Sequence, residues 1–414
     1  MELEVKHTFQ PVGQGLFYNC VVTFPNRRSY RWVYDCGTHS EKALVQREVA
    51  RVVPEGRLDL LILSHFDADH VNGVADLVTA VGATTLMLPY MPLWDRLLLA
   101  FDQGLGPTDP ITIFYINPAA YLASLEGEAP QRVIFVPRSD GGEPRPRGDD
   151  EPLDAPVGED SERATDDFET VNTGEAQHMA DDFNAMAEAA QSIDLKMLRR
   201  GETIKVQGLW EFVPYNDPKA APSNKPAFVK AVSAKATDLL AAADSDKAAK
   251  IIHDLKAAYD RYIGQRNRNR GSLFIYSGPI HDWSQREFHA WRWAASSEAV
   301  LYEIFGHLGK KCGIMLTGDG TLENDNDFNQ FTRWFQLGRM SRIAVLQVMH
   351  HGAENNTRPG RAVQIDPHIA VFSSDPSRKR PGHPHKKVVK DFSAYNPCLA
   401  HQHAGVTVIT RFTR

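Results

Sequence analysis

Leu58-Asp59-Leu60-Leu61-Ile62-Leu63-Ser64 runs directly into His65-Phe66-Asp67-Ala68-Asp69-His70. The first stretch is a short, apolar run of the kind that forms a strand buried on both faces. The second places four side chains of metal-ligand type within six residues, just before a helix expected from Val71 to about Val81. Packing imidazoles and carboxylates this densely is costly unless a cation or a partner neutralises them. His65 and Asp67, at alternate positions, can point to one metal, while Asp69 and His70 turn toward a second.

Working outward, residues 5–15, 16–24 and 30–37 read as three strands, with Asn26, Arg27 and Arg28 in the turn between the second and third. A helix is expected from Glu41 and Lys42 through Val53, and a further strand over 84–90. A β-rich start followed by α/β alternation predicts a layered α/β architecture. Later strands are expected over 202–206, 209–215, 271–278, 311–320, 342–352, 370–374 and 406–412. The run 283–293, WSQREFHAWRW, has the aromatic spacing of a helix, which assigns Trp283, Trp291 and Trp293 to the core.

Three further strand ends carry chemistry-bearing residues. Leu316-Thr317-Gly318-Asp319-Gly320 puts a carboxylate where it could bridge two ions, and Val348-Met349-His350-His351-Gly352 follows the strand RIAVLQV. Neighbours on an extended chain face opposite ways, so one of His350 and His351 is expected to ligate and the other to contact substrate or support the site. Lys379-Arg380-Pro381-Gly382-His383-Pro384-His385 adds an imidazole in a basic loop. The other histidines, His39 among them, are read as structural or surface groups.

Composition bounds the rest. At 414 residues with 42% hydrophobic and 24% charged, the chain is an ordinary globular one. No apolar run approaches the roughly eighteen residues that cross a bilayer. The N-terminus has no apolar signal core, and the four cysteines lie far apart, so a reducing cytoplasm and no membrane association are expected. The net charge of −6 is uneven: residues 139–182 hold 15 Asp/Glu against 3 Arg, which leaves the remainder basic. That Pro-, Gly- and acid-rich segment reads as a flexible insert, and the Ala- and Lys-rich segment 223–267 as a helical hairpin. Either insert could bind a protein partner.

The set Asp35, His65-x-Asp67-x-Asp69-His70, Asp319 and His350-His351 resembles the metallo-β-lactamase-fold hydrolases, with Asp67 where their HxHxDH signature has a second histidine. The variant SHxDxDH followed by TGD, HHG and GHP is most similar to the metallo-hydrolase domain of the DNA-uptake channel (ComEC-like) family, without its membrane helices. Gly271-Ser272-Leu273-Phe274 falls where those domains carry an NSLV-type strand, and Ala353 replaces the serine of their HHGS. The resemblance implies a four-layer αβ/βα sandwich. Its first half would span 1–138 and its second 268–414, with core strands at 195–222, an acidic flexible insert and helix at 139–194, and the helical insert at 223–267.

It also implies two divalent ions, zinc or manganese with magnesium as the alternative, held by His65, Asp67, Asp69, His70, Asp319 and His350 or His351, with Asp35 in support. Asp67 in place of an imidazole hardens the first site and moves the expected metal toward manganese or magnesium. Asp69 and His383 are the expected catalytic groups. Lys379, Arg380 and Ser272 are the expected substrate contacts.

The ligand set alone does not select a substrate. Arg378, Lys379, Arg380, Lys386, Lys387 and Lys390, with Arg358, Arg361, Arg261, Arg266, Arg268 and Arg270, would hold a phosphate backbone if they rim the site. This favours a phosphodiesterase or nuclease acting on nucleic acid or a nucleotide. The alternatives are a hydrolase of lactones or thioesters, and a partner-regulated component whose acidic insert and helical hairpin bind protein; the acidic insert could also occupy the basic cleft as a substrate mimic.

Overall fold

The computed structural model describes residues 2–102, 105, 110–127, 129–139, 192–217, 271–306, 309–380 and 382–413, with scattered positions in 183–190 and 235–255. The acidic insert 139–182 therefore lies, beyond its first residue, outside the described residues. Of the 223–267 hairpin only 235, 238, 239, 247 and 250–255 are described, and these are helical. Arg261, Arg266, Arg268 and Arg270 are also outside.

The chain opens with β1 (Glu2–Phe9), β2 (Phe17–Thr23) and β3 (Ser29–Cys36), then α1 (Lys42–Val52), β4 (Leu58–Ile62), α2 (Ala68–Val71), α3 (Val74–Val81) and β5 (Ala83–Pro89). Three helices follow, α4 (Leu93–Asp102), α5 (Pro110–Ile116) and α6 (Pro118–Ala123), and then β6 (Arg132–Val136), β7 (Asp194–Met197), β8 (Ile204–Val206) and β9 (Trp210–Asn216). The later part comprises β10 (Leu273–Pro279), β11 (Ser284–Ala294), β12 (Val300–Phe305), β13 (Gly313–Leu316), α7 (Asp325–Met340) and β14 (Ile343–Gln347). It ends with α8 (Arg361–Ile365), β15 (Ile369–Ser373), α9 (Lys386–Asp391), β16 (Pro397–Ala400) and β17 (Ala404–Thr413).

Two sheets result. One has ten strands in the order β12-β11-β17-β1-β2-β3-β4-β5-β6-β7, the other seven in the order β16-β15-β14-β13-β10-β9-β8. The period of two along each strand sends alternate residues into different cores. Trp32, Tyr34, Leu60 and Ile62 meet Ile275, Ile314 and Leu316 between the sheets. Val33, Leu61, Leu86 and Val133 pack instead on Val45 and Val49 of α1 and Leu77 and Val78 of α3. Phe274, Tyr276 and Met315 pack on Phe331 and Phe335 of α7, Ala362 of α8 and Val388 of α9. The layers are therefore helices, sheet, sheet and helices, the four-layer αβ/βα order that the sequence led us to expect.

Two local readings are corrected. The run 283–293 is not helical but builds β11, with Phe288 and Ala290 in the inter-sheet core and Trp293 on the opposite face. Aromatic residues at 283, 288, 291 and 293 imitate helical spacing, yet pairing with β17 and β12 on either side fixes an extended chain. Residues 68–81 form two short helices, α2 and α3, separated by Asn72 and Gly73.

Among the described residues no helix is long and apolar enough to cross a membrane.

Candidate metal centre

β3 and β4 run parallel, with Tyr34 opposite Ile62, so their C-terminal ends finish side by side. Asp35 sits at that end with φ +58°, a conformation Asp tolerates better than most residues, and is fully buried. Its Oδ1 accepts the Ser64 backbone N–H at 2.6 Å and its Oδ2 accepts the Ser64 hydroxyl at 2.6 Å. His70 Nδ1 lies 2.7 Å from the same Oδ2. A carboxylate only accepts, so His70 carries its hydrogen on Nδ1 and turns Nε2 toward the centre.

Local packing fixes the rest of this loop. His65 Nδ1 is 2.7 Å from the Ser64 hydroxyl, which likewise turns its Nε2 inward. Phe66 is buried between Phe114 and Tyr115 of α5, and Tyr115 donates to its carbonyl. On the other side Gly37 lies so close to the Asp69–His70 backbone that a Cβ would stand 2.6 Å from Asp69 C and His70 N. Only glycine permits that approach.

The seven-stranded sheet supplies the facing half. β13 and β14 are parallel, with Met315 opposite Leu346. Fully buried Gln347 reaches across from the end of β14: its Oε1 accepts the Thr317 N–H at 2.8 Å and the Gly318 N–H at 2.7 Å. Its Nε2 donates to the carbonyls of Gly318 (3.2 Å) and Val348 (2.9 Å). This holds the turn that aims Asp319. His350 and His351 occupy a 3-10 turn, both with positive φ (45° and 55°), so they are not neighbours on an extended chain as expected. Both rings consequently reach Asp319. His351 Nδ1 lies 2.6 Å from the Ser373 carbonyl, which, as an acceptor, again leaves Nε2 facing the centre.

The ligand-type atoms form two groups that share one carboxylate. Asp69, His70, Asp319 and His351 have one atom each within 4.8 Å of the others, as do His65, Asp67 and Asp319. Asp319 Oδ1 lies 3.1 Å from His70 Nε2 and 3.4 Å from His351 Nε2. Its Oδ2 lies 3.3 Å from His350 Nε2 and 3.7 Å from His65 Nε2. Asp67 Oδ2 is 3.6 Å from His65 Nε2, and Asp69 Oδ2 is 3.1 Å from His351 Nε2.

The electrostatics follow from this crowding. Burial works to raise the Asp69 and Asp319 carboxyls. For Asp69, His70, His351 and His39 outweigh it, for Asp319, His350, His70 and His351 do so, and both are held well below the usual carboxylate range. Burial opposes a charge on His70 and His351, but the neighbouring carboxylates raise both above the ordinary imidazole value. His350 and His383 go the other way: burial lowers both, His383 to about 4.

These residues fit divalent ions. His65 Nε2, His70 Nε2 and Asp319 Oδ1 are buried and have no hydrogen-bond partner, although they lie among one another. A cation in each group would satisfy all three between them and replace the protons that the carboxylates otherwise draw onto the rings.

The remaining sequence-derived residues are placed as follows. His383 lies beside the groups, its ring 5.5 Å from His350 and 6.3 Å from His351, with Nδ1 buried and unpartnered. Lys379 and Arg380 are exposed on the loop that leads to it. Ser272 is corrected: at 1% exposure, packed under Gly318, it has no surface to offer a substrate. Arg361 is not a rim cation either, and exposed Arg358 is partly neutralised. Both pair with Asp325 (2.7 and 2.9 Å), and Arg361 is buried over Phe328. Lys387 pairs with Glu354 at 3.3 Å.

Three further residues shape the site. Gln347 has the sequence character of an ordinary strand residue, and nothing local marks Ser64 as the partner of Asp35. His39, read as a surface group, has its Nδ1 3.1 Å from Asp69 Oδ2. The signal for His39 was available in its position four residues beyond Asp35.

No curated protein matches the chain in sequence. Among solved structures it is similar to a long-form RNase Z from yeast, at 10% identity and TM-score 0.31, over 83% of this chain and 32% of that one. The chain thus spans about a third of the length of that RNase Z. It is also similar to the metallo-beta-lactamase fold protein YhfI from Bacillus subtilis, at 9% identity and TM-score 0.35, over 97% of this chain and 98% of that one. Residues 16–159, which include Asp35 and the whole of His65–His70, match the family model of the Metallo-beta-lactamase superfamily.

Proposed function

We propose that the protein is a metal-dependent hydrolase of phosphodiesters, acting on nucleic acid or a nucleotide. The observation that carries the reading is the Asp319 carboxylate shared between two groups of ligand-type side chains, one oxygen beside His70 and His351, the other beside His65 and His350. His65 and Asp67 would hold one ion, Asp69, His70 and His351 the other, with Asp319 between them. When bound, a pair of divalent ions supplies Lewis acidity and a water acidic enough to ionise near neutral pH.

The chain's own residues do the rest. Asp35 and the Ser373 carbonyl orient His70 and His351. Burial lowers the affinity of half-exposed His350 and of His383 for a proton, so each neutral ring can donate a hydrogen bond to a substrate oxygen from one nitrogen or accept a proton from an attacking water at the other.

The preference for a phosphodiester rests on the loop between β15 and α9. It supplies His383 together with Arg378, Lys379 and Arg380, and Arg378 is tied to the site by its bond to the His39 carbonyl at 3.0 Å. An anionic substrate reaching the centre past that loop would meet these cations. The motif order SHxDxDH, TGD, HHG and GHP supports likeness to the ComEC-like metallo-hydrolases within the superfamily.

The test is cleavage of labelled single- and double-stranded DNA and RNA with manganese, magnesium or zinc, beside the Asp69→Ala/His70→Ala double variant. Metal-dependent cutting by the wild type and none by the variant is expected. A wild type that holds two ions and hydrolyses a lactone or thioester but no phosphodiester would overturn the substrate assignment.

A further inference from the structure

We infer that His39 is a positioning residue, which fixes the solvent side of the Asp69 carboxylate and through its own carbonyl anchors the basic loop at the same rim. This rests on the reading of Asp69 as a ligand of the second ion.

Asp69 Oδ2 faces two ways. On the inner side it meets His351 Nε2 at 3.1 Å and His70 Nε2 at 4.0 Å. On the outer side it meets His39 Nδ1 at 3.1 Å, from a side chain that is 47% exposed while that of Asp69 is 6% exposed. His39 stands outside the group of four whose ligand atoms lie within 4.8 Å of one another, so among those four it touches Asp69 from beyond the cluster. A ligating carboxylate held from behind by a second polar group keeps one orientation and one basicity. Without it, Asp69 could rotate or swing toward water.

The exposure of the His39 ring does not make its position casual, because its backbone is pinned on both sides. Its N–H donates to the Gln14 carbonyl at 2.6 Å, and its carbonyl accepts Arg378 Nη1 at 3.0 Å. Thr38 Oγ1 donates to the carbonyls of Val12 (2.5 Å) and Gln14 (3.1 Å). Ser40 N–H donates to Thr38 Oγ1, and Ser40 Oγ accepts the Gln14 N–H. Gln14 also reaches forward, its Oε1 accepting the Asp375 N–H at 3.3 Å. The segment 12–15, the segment 37–40 and the loop 375–378 thus form one hydrogen-bonded rim. His39 is the member whose side chain reaches the Asp69 carboxylate and whose carbonyl holds Arg378, so the cation and the carboxylate are linked through one residue.

The experiment is titration of metal-free full-length protein with manganese alone and zinc alone, against a competing chromogenic chelator. Wild type, His39→Ala and His39→Asn are compared, with near-ultraviolet circular dichroism to confirm that each folds. Wild type is expected to bind two ions. His39→Ala should bind one of them as the wild type does and the other on the order of 10–100-fold more weakly. His39→Asn, whose amide can replace Nδ1, should recover most of that loss. A folded His39→Ala that binds both ions as tightly as wild type overturns the inference alone. A wild type that binds no ion overturns the metal-centre reading and the inference together.

Discussion

The Asp35 carboxylate and the His70 imidazole form a fully enclosed pair, Nδ1 to Oδ2 at 2.7 Å with neither side chain exposed. Because Asp35 also accepts both donors of Ser64, every lone-pair direction it uses is spoken for. The pair therefore decides which ring nitrogen of His70 can accept a cation.

Asp35→Asn tests this without disturbing the backbone, since Asn also tolerates the left-handed φ. To keep its oxygen on the Ser64 N–H, the new amide must turn its NH2 toward His70 Nδ1. That favours hydrogen on Nε2, the wrong tautomer for a ligand. Metal affinity at the Asp69–His70 group should fall on the order of 10–100-fold, read by chelator competition. Unchanged affinity would mean that Asp35 has only a packing role.

Sharing of Asp319 separates it from Asp67. Asp319→Ala should weaken both ions, whereas Asp67→Ala should weaken one, because Asp67 belongs only to the group with His65. Counting ions retained after dialysis distinguishes the two variants. Because bound ions stabilise only the folded state, a chelator should also lower the melting temperature of the wild type, an ion at about 100 times its Kd adding about 2.7 kcal/mol. Retention of one tight ion by Asp319→Ala would contradict a shared carboxylate.

Gln347→Leu removes the acceptor of two buried N–H groups, those of Thr317 and Gly318. An unsatisfied buried donor costs about 1–3 kcal/mol, so a loss of several kcal/mol in urea unfolding is expected, with weaker metal binding because Asp319 follows this turn. A change below about 0.5 kcal/mol, the range of ordinary surface substitutions, would show that the turn holds without the amide.

The ligand-type residues were legible because they cluster in short motifs at strand ends, and strand ends are easy to place when apolar runs precede them. Leu58–Leu63 before His65, and Ile343–Val348 before His350, gave both the strand and the edge on which the site lies. What stayed hidden depends on contacts between distant segments. Gln347 matters only because β13 happens to lie beside β14, and His39 only because Gly15 and Gly37 let two loops close over Asp69. β11 was misread for a related reason. Its extended form is imposed by strand partners on both sides, which a local aromatic spacing cannot reveal.

Away from the centre, Glu211 of β9 and Arg339 of α7 form a two-pronged pair, 2.9 Å at each contact, with both side chains 1% exposed. Glu211→Leu strands the guanidinium in an apolar layer and should cost about 3–5 kcal/mol. Adding Arg339→Met should restore most of the loss, because two apolar groups need no partner. Metal binding by the double variant should match wild type. A double variant as unstable as the single one would show that shape, not charge, dominates there.

Acid stability should bear the mark of His7. Its ring lies in the inter-sheet layer with Nδ1 2.6 Å from the Tyr18 hydroxyl, and burial lowers its pKa to about 3. The unfolded chain binds the same proton near the ordinary imidazole value of 6.5. Above that pH both states are neutral at this residue, and it contributes nothing to the pH dependence. Below it the unfolded state takes up a proton that the folded state refuses, so stability falls as pH drops from 6.5 toward about 3. At full slope this one group removes about 1.4 kcal/mol per pH unit. His7→Gln keeps a polar partner for Tyr18 and does not titrate. Urea unfolding from pH 7 to pH 4 with chelator present, which removes metal linkage, should therefore give a shallower decline for the variant, by close to one proton. Parallel declines would mean that His7 charges in the folded state, which an imidazole closed between two sheets should not do.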